Sequence, residues 1–252
     1  MDIQIFGSGR RLEECYRRLA RTHKRSLYDR LVVLPIPTTR DGIHISGTDR
    51  TLHEVTDGVC PGTLVVGYGI PPAIVQKIIL QGGAVYDAGE DEDFLTENAG
   101  ITARGALGEI LRMTERDAPD LAIGIVGYGR IGSALARLLL FLGTEVRVYS
   151  RRFATRLELS ARGLFSEPTP DPENTAGLDL LVNTAPATIF DEEGIAALPS
   201  GLRIIDLASG KNFPDSDRVV KLPSIPERNY PVTAGGVYAR FIARRLFLGG
   251  EL

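Results

Sequence analysis

Three glycines and a basic strand end carry the chemistry of this 252-residue chain that its sequence shows first. Ala122-Ile-Gly-Ile-Val126 is a short apolar run that reads as a buried parallel strand, and it breaks at Gly127. Ile131, Leu135, Leu138, Leu139 and Leu142 then follow at helical spacing. Gly127, Tyr128, Gly129, Arg130, Ile131 and Gly132 therefore form G-x-G-x-x-G on a strand–turn–helix, the context a dinucleotide site requires. Gly127 permits the tight turn, Gly129 lets the backbone approach a pyrophosphate, and Gly132 lets helix and strand pack closely. The phosphates would sit on free N–H groups at the positive end of the helix. The next strand, from Thr144, ends Tyr149-Ser150-Arg151-Arg152, where the residue that separates NAD from NADP is expected. No carboxylate stands there to accept from a ribose hydroxyl. Ser150 can bond a 2′-phosphate and Arg151 or Arg152 can clamp it, which favours NADP over NAD.

The elements around this turn imply an α/β chain with a doubly wound parallel sheet. Asp179–Thr184, Leu202–Leu207 and Arg218–Leu222 read as further strands, separated by helical runs and joined by right-handed crossovers. Open α/β sheets bind ligands at the carboxyl ends of their strands. Asn183-Thr184-Ala-Pro186 and Leu207-Ala208-Ser-Gly-Lys211 occupy such ends. Asn183 and Thr184 are expected to face a nicotinamide ribose, and Lys211 a substrate carboxylate. Upstream, Asp2–Phe6, Leu31–Ile36, Thr63–Tyr68 and Ala84–Tyr86 read as strands of a smaller α/β layer, with helices ending near Ala20 and beginning at Pro71-Pro72. Gly7-Ser-Gly9 imitates half a nucleotide fingerprint but lacks the third glycine, so it reads as an ordinary turn. The acidic run Glu90–Asp93 reads as a solvated boundary, and Ile101–Thr114 as a connector helix. The expected organisation is a first domain over 1–117, rejoined by a C-terminal helix within 233–252, and a dinucleotide-binding domain over 118–232.

Composition narrows the partners. A net charge of −3 and a pI near 5.7 give no basic surface for nucleic acid. Cys15 and Cys60 form no metal or disulfide pattern, so no metal site is expected. No apolar run is long enough to cross a bilayer and no signal peptide is visible, which predicts a cytoplasmic location. All three histidines, His23, His44 and His53, lie in the first quarter. A small first domain followed by G-x-G-R-I-G resembles the 2-hydroxyacid dehydrogenases. Those enzymes use a histidine in the second half of the chain as general acid/base, and this chain has none after His53.

Several stretches taken together resemble another family more closely. Leu34-Pro-Ile-Pro-Thr38, Asn98-Ala-Gly-Ile-Thr-Ala-Arg-Gly105, the glycine turn, Val182–Pro186, Ile205-Asp-Leu-Ala-Ser209 and Thr233-Ala-Gly235 are similar, in that order, to segments of the A subunits of dipicolinate synthases. The resemblance implies an NADP-dependent oxidoreductase that converts a dihydrodipicolinate to pyridine-2,6-dicarboxylate during spore formation, beside a flavoprotein-like second subunit, and an oligomer is expected. Forming an aromatic ring supplies driving force, so orienting a dianion matters more than an elaborate acid/base. The candidate carboxylate anchors are Thr38, Thr39, Arg40, Asn98, Thr102, Arg104 and Lys211, with a solvated surface as the alternative for Arg40 and Arg104. The catalytic residue itself is not assigned. The family motif reads Asn-Ser-Ile-Pro-Thr-Ala-Glu-Gly; Ile101 and Arg104 depart from it, and the first domain lacks a strand–helix step after Ala20. The other readings are a 2-hydroxyacid dehydrogenase-like enzyme acting on another small acid, and a non-catalytic NADP-binding subunit.

Overall fold

The structure, a computed structural model, describes residues 1–22, 25–208, 210 and 212–247. Along the chain the elements are β1 (Asp2–Ile5), α1 (Arg10–Ala20), β2 (Arg30–Val33), α2 (Leu52–Asp57), β3 (Thr63–Gly67), α3 (Pro72–Leu80), β4 (Ala84–Asp87) and α4 (Glu92–Thr114). They continue as β5 (Ala122–Val126), α5 (Arg130–Phe141), β6 (Glu145–Tyr149), α6 (Phe153–Ala161), β7 (Phe165–Glu167), β8 (Leu180–Asn183) and α7 (Glu192–Ala197). The last are β9 (Arg203–Asp206), β10 (Val219–Lys221), α8 (Ile225–Asn229) and α9 (Pro231–Leu246). Two compact units result: Met1–Asn98 with the chain from Pro226 onward, and Ala99–Ile225.

The first unit is built on a four-stranded parallel sheet in the order β1-β2-β3-β4. Val32, Val65 and Val85 face α2 and α3 in one apolar cluster. On the other side Tyr86 stacks on Phe241 of α9 at 4.5 Å, and Phe94 closes on Phe241 and Tyr238. α1 packs on α9, where Gly235 leaves room for the Arg11 backbone and the Glu14 side chain. So α1 and α2 lie on opposite faces, while β1→β2 and β2→β3 step the same way across the sheet. Those two crossovers therefore have opposite hands, and only one of them obeys the right-handed rule.

One expectation changes here, and one element appears that the sequence pattern does not show. Glu90–Asp93 is a helix start as well as a solvated run: Glu90, Glu92 and Asp93 are exposed, Asp91 caps α4 by accepting from the Phe94 N–H at 2.8 Å, and α4 begins at Glu92, well before Ile101. The residues past Thr51 form α2, started by a capping box between Thr51 and Glu54; its single short turn shows no periodicity to read.

The second unit holds a six-stranded parallel sheet in the order β10-β9-β8-β5-β6-β7. The chain starts in the middle at β5, builds outward through β6 and β7, then returns to β8 beside β5 and builds the other way. The strand order reverses between β5 and β8, which makes their carboxyl ends the topological switch point. Ile123, Ile125, Val148 and Val182 pack against α5 and the Ala103–Ile110 stretch of α4. Val126, Tyr149, Leu181 and Ile204 pack on the other side with Leu198 and Leu202. Gly124 stands where a Cβ would press on Leu178, Leu181 and Tyr149. The proline-rich stretch after α6 contains the edge strand β7, too short to announce itself.

Tyr238 gives a test of the first unit. Its phenol is fully buried and donates to the Leu34 carbonyl at 3.0 Å. Burial pushes its pKa well up, so it stays a protonated donor. Tyr238→Phe should lower unfolding free energy by about 1–1.5 kcal/mol in urea titrations, and an unchanged midpoint would show the bond contributes nothing.

Candidate dinucleotide site

The site grows from the turn between β5 and α5. Gly127 sits at φ +91°, a conformation that favours glycine. A Cβ on Gly132 would overlap the Gly127 carbonyl oxygen and crowd the Thr184 hydroxyl. A Cβ on Gly129 would meet nothing within 4 Å, so the turn is open at that residue. Gly129 caps α5 without a side-chain bond, leaving first-turn N–H groups for an anion. Thr184, at the end of β8, donates its hydroxyl to the Val126 carbonyl at 3.0 Å and so joins the two strands of the switch point.

A cavity of about 400 Å³ opens over this turn. It is lined by Gly127, Tyr128, Gly129, Ser150, Arg151, Arg152, Thr184 and Pro186 among the sequence candidates. Arg156, in the first turn of α6, donates to the carbonyls of Ser150 and Arg151 at 2.8 and 3.1 Å and fixes the end of β6. Ser150 is buried, and its N–H donates to Glu167 of β7. Arg151 and Arg152 are exposed at the cavity and make no ion pair among the described residues. These features fit a dinucleotide with its pyrophosphate: an open glycine, an uncapped helix start and two guanidinium groups without an ion pair among the described residues.

Other candidates lie elsewhere. Arg130 and Ile131 belong to α5 and do not line the cavity, and Gly132 is buried as a packing residue. Asn183 does not face the cavity. It is fully buried, donating to Asp206 at 2.8 Å and to the Ala185 carbonyl at 3.1 Å while its Oδ1 accepts from the Ala185 N–H. Its amide is spent on holding the loop that carries Pro186. Leu207 and Ala208 are half-buried beside the same group, Ala208 through an N–H donated to Asp206 at 3.1 Å. Asn212 adds a third donor to Asp206.

The cavity also takes in Thr155, Pro168, Thr169, Pro170, Thr188 and Ile189, which the sequence reading missed. Thr155 was legible as the first turn of a helix after the arginines. The others depend on where β7 and the loop after β8 fold.

The substrate candidates divide between the units. Thr38 is fully buried; its hydroxyl accepts from the Tyr68 N–H at 2.8 Å, so it ties β2 to β3 rather than meeting a ligand. Thr39 closes the next loop, accepting from the Gly42 N–H at 2.9 Å and donating to Asp41. Arg40 is exposed in that loop. Asn98 accepts from Arg11 at 3.0 Å. On α4, Thr102 is buried and Arg104 exposed. Lys211 lies outside the described residues, as do Ser209 and His23. No group of three or more His, Cys, Asp or Glu suited to a metal occurs among the described residues, and none of their helices is long and apolar enough to cross a membrane.

Strand order, switch point and glycine turn define an α/β chain with a dinucleotide-binding domain of the dehydrogenase kind. Residues 101–221 match the family described as D-isomer specific 2-hydroxyacid dehydrogenase, NAD binding domain, which supports a nicotinamide dinucleotide as cofactor and an oxidoreductase role. Over most of its length the chain is similar to the A subunit of dipicolinate synthase from Bacillus subtilis (strain 168), 25% identical over 228 residues that make up 85% of this chain and 77% of that protein. The fold is shared with the crystal structure of the corresponding dipicolinate synthase subunit from Bacillus halodurans, at TM-score 0.75 and 18% identity, covering 96% of both chains. It is shared too with the crystal structure of the Bacillus subtilis dipicolinate synthase protein, at TM-score 0.77 and 19% identity, covering 96% of this chain and 94% of that one.

Two substitutions test the frame of the site. Gly132→Ala should weaken dinucleotide binding at least tenfold and lower stability by about 1–3 kcal/mol, because the turn must open to admit the methyl; calorimetric titration and thermal melting read the two effects. Asp206→Ala leaves buried donors of Asn183 and Asn212 unmatched and should cost about 2–3 kcal/mol, measured by urea unfolding. Wild-type stability in that variant would mean water replaces the carboxylate at no loss.

Proposed function

We propose that this chain is an NADP-dependent oxidoreductase of the dipicolinate synthase type, acting on a small cyclic dicarboxylate. The observation that carries the NADP assignment is the end of β6: Ser150, Arg151 and Arg152 meet the cavity, with no carboxylate in the position that would select NAD. Similarity to the dipicolinate synthase of Bacillus subtilis along most of the chain supports the substrate class.

The bound nicotinamide supplies the hydride acceptor. The reaction removes a hydride and one proton from the dihydro-acid and leaves the aromatic dicarboxylate, NADPH and H⁺. Gly127–Gly129 and the first turn of α5 take the pyrophosphate, Arg151 and Arg152 take the 2′-phosphate, and Thr184 holds β8 against β5 so that the loop through Pro186 keeps its place. The second unit carries the cofactor; Arg40 in the first unit and Arg104 on α4 are candidates for acid recognition. A second subunit, an oligomer and a cytoplasmic setting belong to the same reading, the relative being named as one subunit of its enzyme.

Purified chain given NADP and freshly prepared dihydrodipicolinate should generate reduced-nicotinamide absorbance, alone or with the second subunit. No signal in either case would remove the dipicolinate reading; turnover of a 2-hydroxy acid instead would move the chain to that class. Arg151→Ala/Arg152→Ala should raise the Kd for NADP about 10–100-fold, the worth of a charged hydrogen bond, and leave the Kd for NAD within about twofold. Equal losses for the two cofactors would overturn the phosphate clamp.

A further inference from the structure

Arg11, in the first turn of α1, is a buried cation of the first unit. It is 6% exposed, and its guanidinium lies 5.8 Å from the centre of the Phe94 ring and 5.9 Å from that of Tyr238. Of its five N–H donors, one is used, donated from Nη2 to Asn98 Oδ1 at 3.0 Å. Nε is sealed from solvent with no hydrogen-bond partner, and no bond is made by Nη1 among the described residues. Glu227, the carboxylate nearest in charge, turns its Oε1 to the Arg11 backbone N–H at 3.4 Å and forms no ion pair with the guanidinium. Cys15, Tyr68 and Tyr238 are the other titratable groups that face it.

A buried cation without a carboxylate is expensive: desolvation is met only when an opposite charge or full hydrogen bonding replaces water. Burial accordingly pushes the Arg11 pKa below its ordinary value, the direction an anionic partner reverses. Other inward-turned arginines are better served. Arg218 is satisfied by the carbonyls of Ile195, Pro199 and Leu202. Arg30, whose Nε is also sealed, has the Asp2 carboxylate at 3.8 Å and donates to Gly58 and Gln4. Arg11 is held on two sides by rings and on a third by Asn98, whose own place comes from the Asn98-to-Gly105 segment singled out in the sequence.

We propose that Arg11, positioned by Asn98 and caged by Phe94 and Tyr238, is the carboxylate-binding residue of the first unit and takes one carboxylate of a small, flat organic acid. A guanidinium fork matches a carboxylate with two parallel bonds, and the buried rings of Phe94 and Tyr238 hold the fork in place. The flat dicarboxylate named here rests on the dipicolinate reading; the carboxylate site does not.

The test uses the whole chain and titrates pyridine-2,6-dicarboxylate and succinate by calorimetry into wild type, Arg11→Met and Arg11→Lys. Arg11→Met keeps the apolar stem between the rings and removes the charge. It should weaken carboxylate binding at least about 30-fold, as loss of a charged partner does, with a melting temperature equal to or above wild type and an unchanged Kd for NADP. Arg11→Lys keeps the charge without the fork and should lose about tenfold. A lower melting temperature in Arg11→Met together with wild-type affinity in Arg11→Lys makes the residue structural and overturns the proposal. Arg11-dependent binding of succinate with none of pyridine-2,6-dicarboxylate keeps the site and removes the dipicolinate reading. Binding of neither acid overturns the site and leaves the NADP-linked assay to decide the reaction.

Discussion

The approach of Gly132 to the carbonyl of Gly127 is the constraint on which the second unit depends. That contact leaves no volume for a Cβ and draws the start of α5 onto the end of β5. The Thr184 hydroxyl occupies the remaining space and ties β8 to β5. Three effects follow from one packing event. The N–H groups at the start of α5 are presented without a side-chain cap, the strand order reverses at a fixed point, and the cavity opens beside the turn. A backbone so confined needs no rearrangement to receive a phosphate, which is what preorganisation means for an anion site.

Behind that turn, polar groups that look like ligand contacts act as fasteners. Asp206 gathers donors from Asn183, Asn212 and the Ala208 backbone, so both loops leaving β8 and β9 are held by one carboxylate. Arg156 does the same for the end of β6 through two carbonyls. Because these groups absorb the local hydrogen bonding, Arg151 and Arg152 stay uncommitted. The neighbours that shape this loop thus need nothing from those two side chains.

The parts of the fold written in long periodic runs were legible. The apolar stretch into β5 and the helical spacing of α5 gave the strand, the turn and the cavity's floor, and the mark of Ser150–Arg152 followed. Short or capped elements were not: α2 is six residues and β7 three, too few for either period to show. Glu90–Asp93 was legible only in part, because an acidic run suits solvent and a helix start alike: Glu90, Glu92 and Asp93 are exposed, and the bond from Phe94 to Asp91 adds the helix start. Asn183 and Thr38 were placed by position at strand ends, where a polar residue serves a ligand or a neighbour with equal ease. What settles each case is the partner it finds in space, and single-sequence spacing does not contain it. Thr169, Pro170 and Ile189 enter the cavity for the same reason, through loops whose paths are set by other strands.

The two groups of arginine differ in physical logic. Arg151 and Arg152 stand in water at the cavity's edge and cost little to hold, and any attraction they exert on an anion is one that salt weakens. Arg11 stands among rings with its solvation removed, costs the first unit stability, and gains strength per bond because the surroundings are poorly polarisable. A protein keeps such a charge only where something compensates it. Fold stability alone does not, since an apolar side chain would fill the space between Phe94 and Tyr238 without the desolvation cost. If an incoming anion is the compensating group, the bond to Asn98 fixes the plane of the guanidinium that receives it.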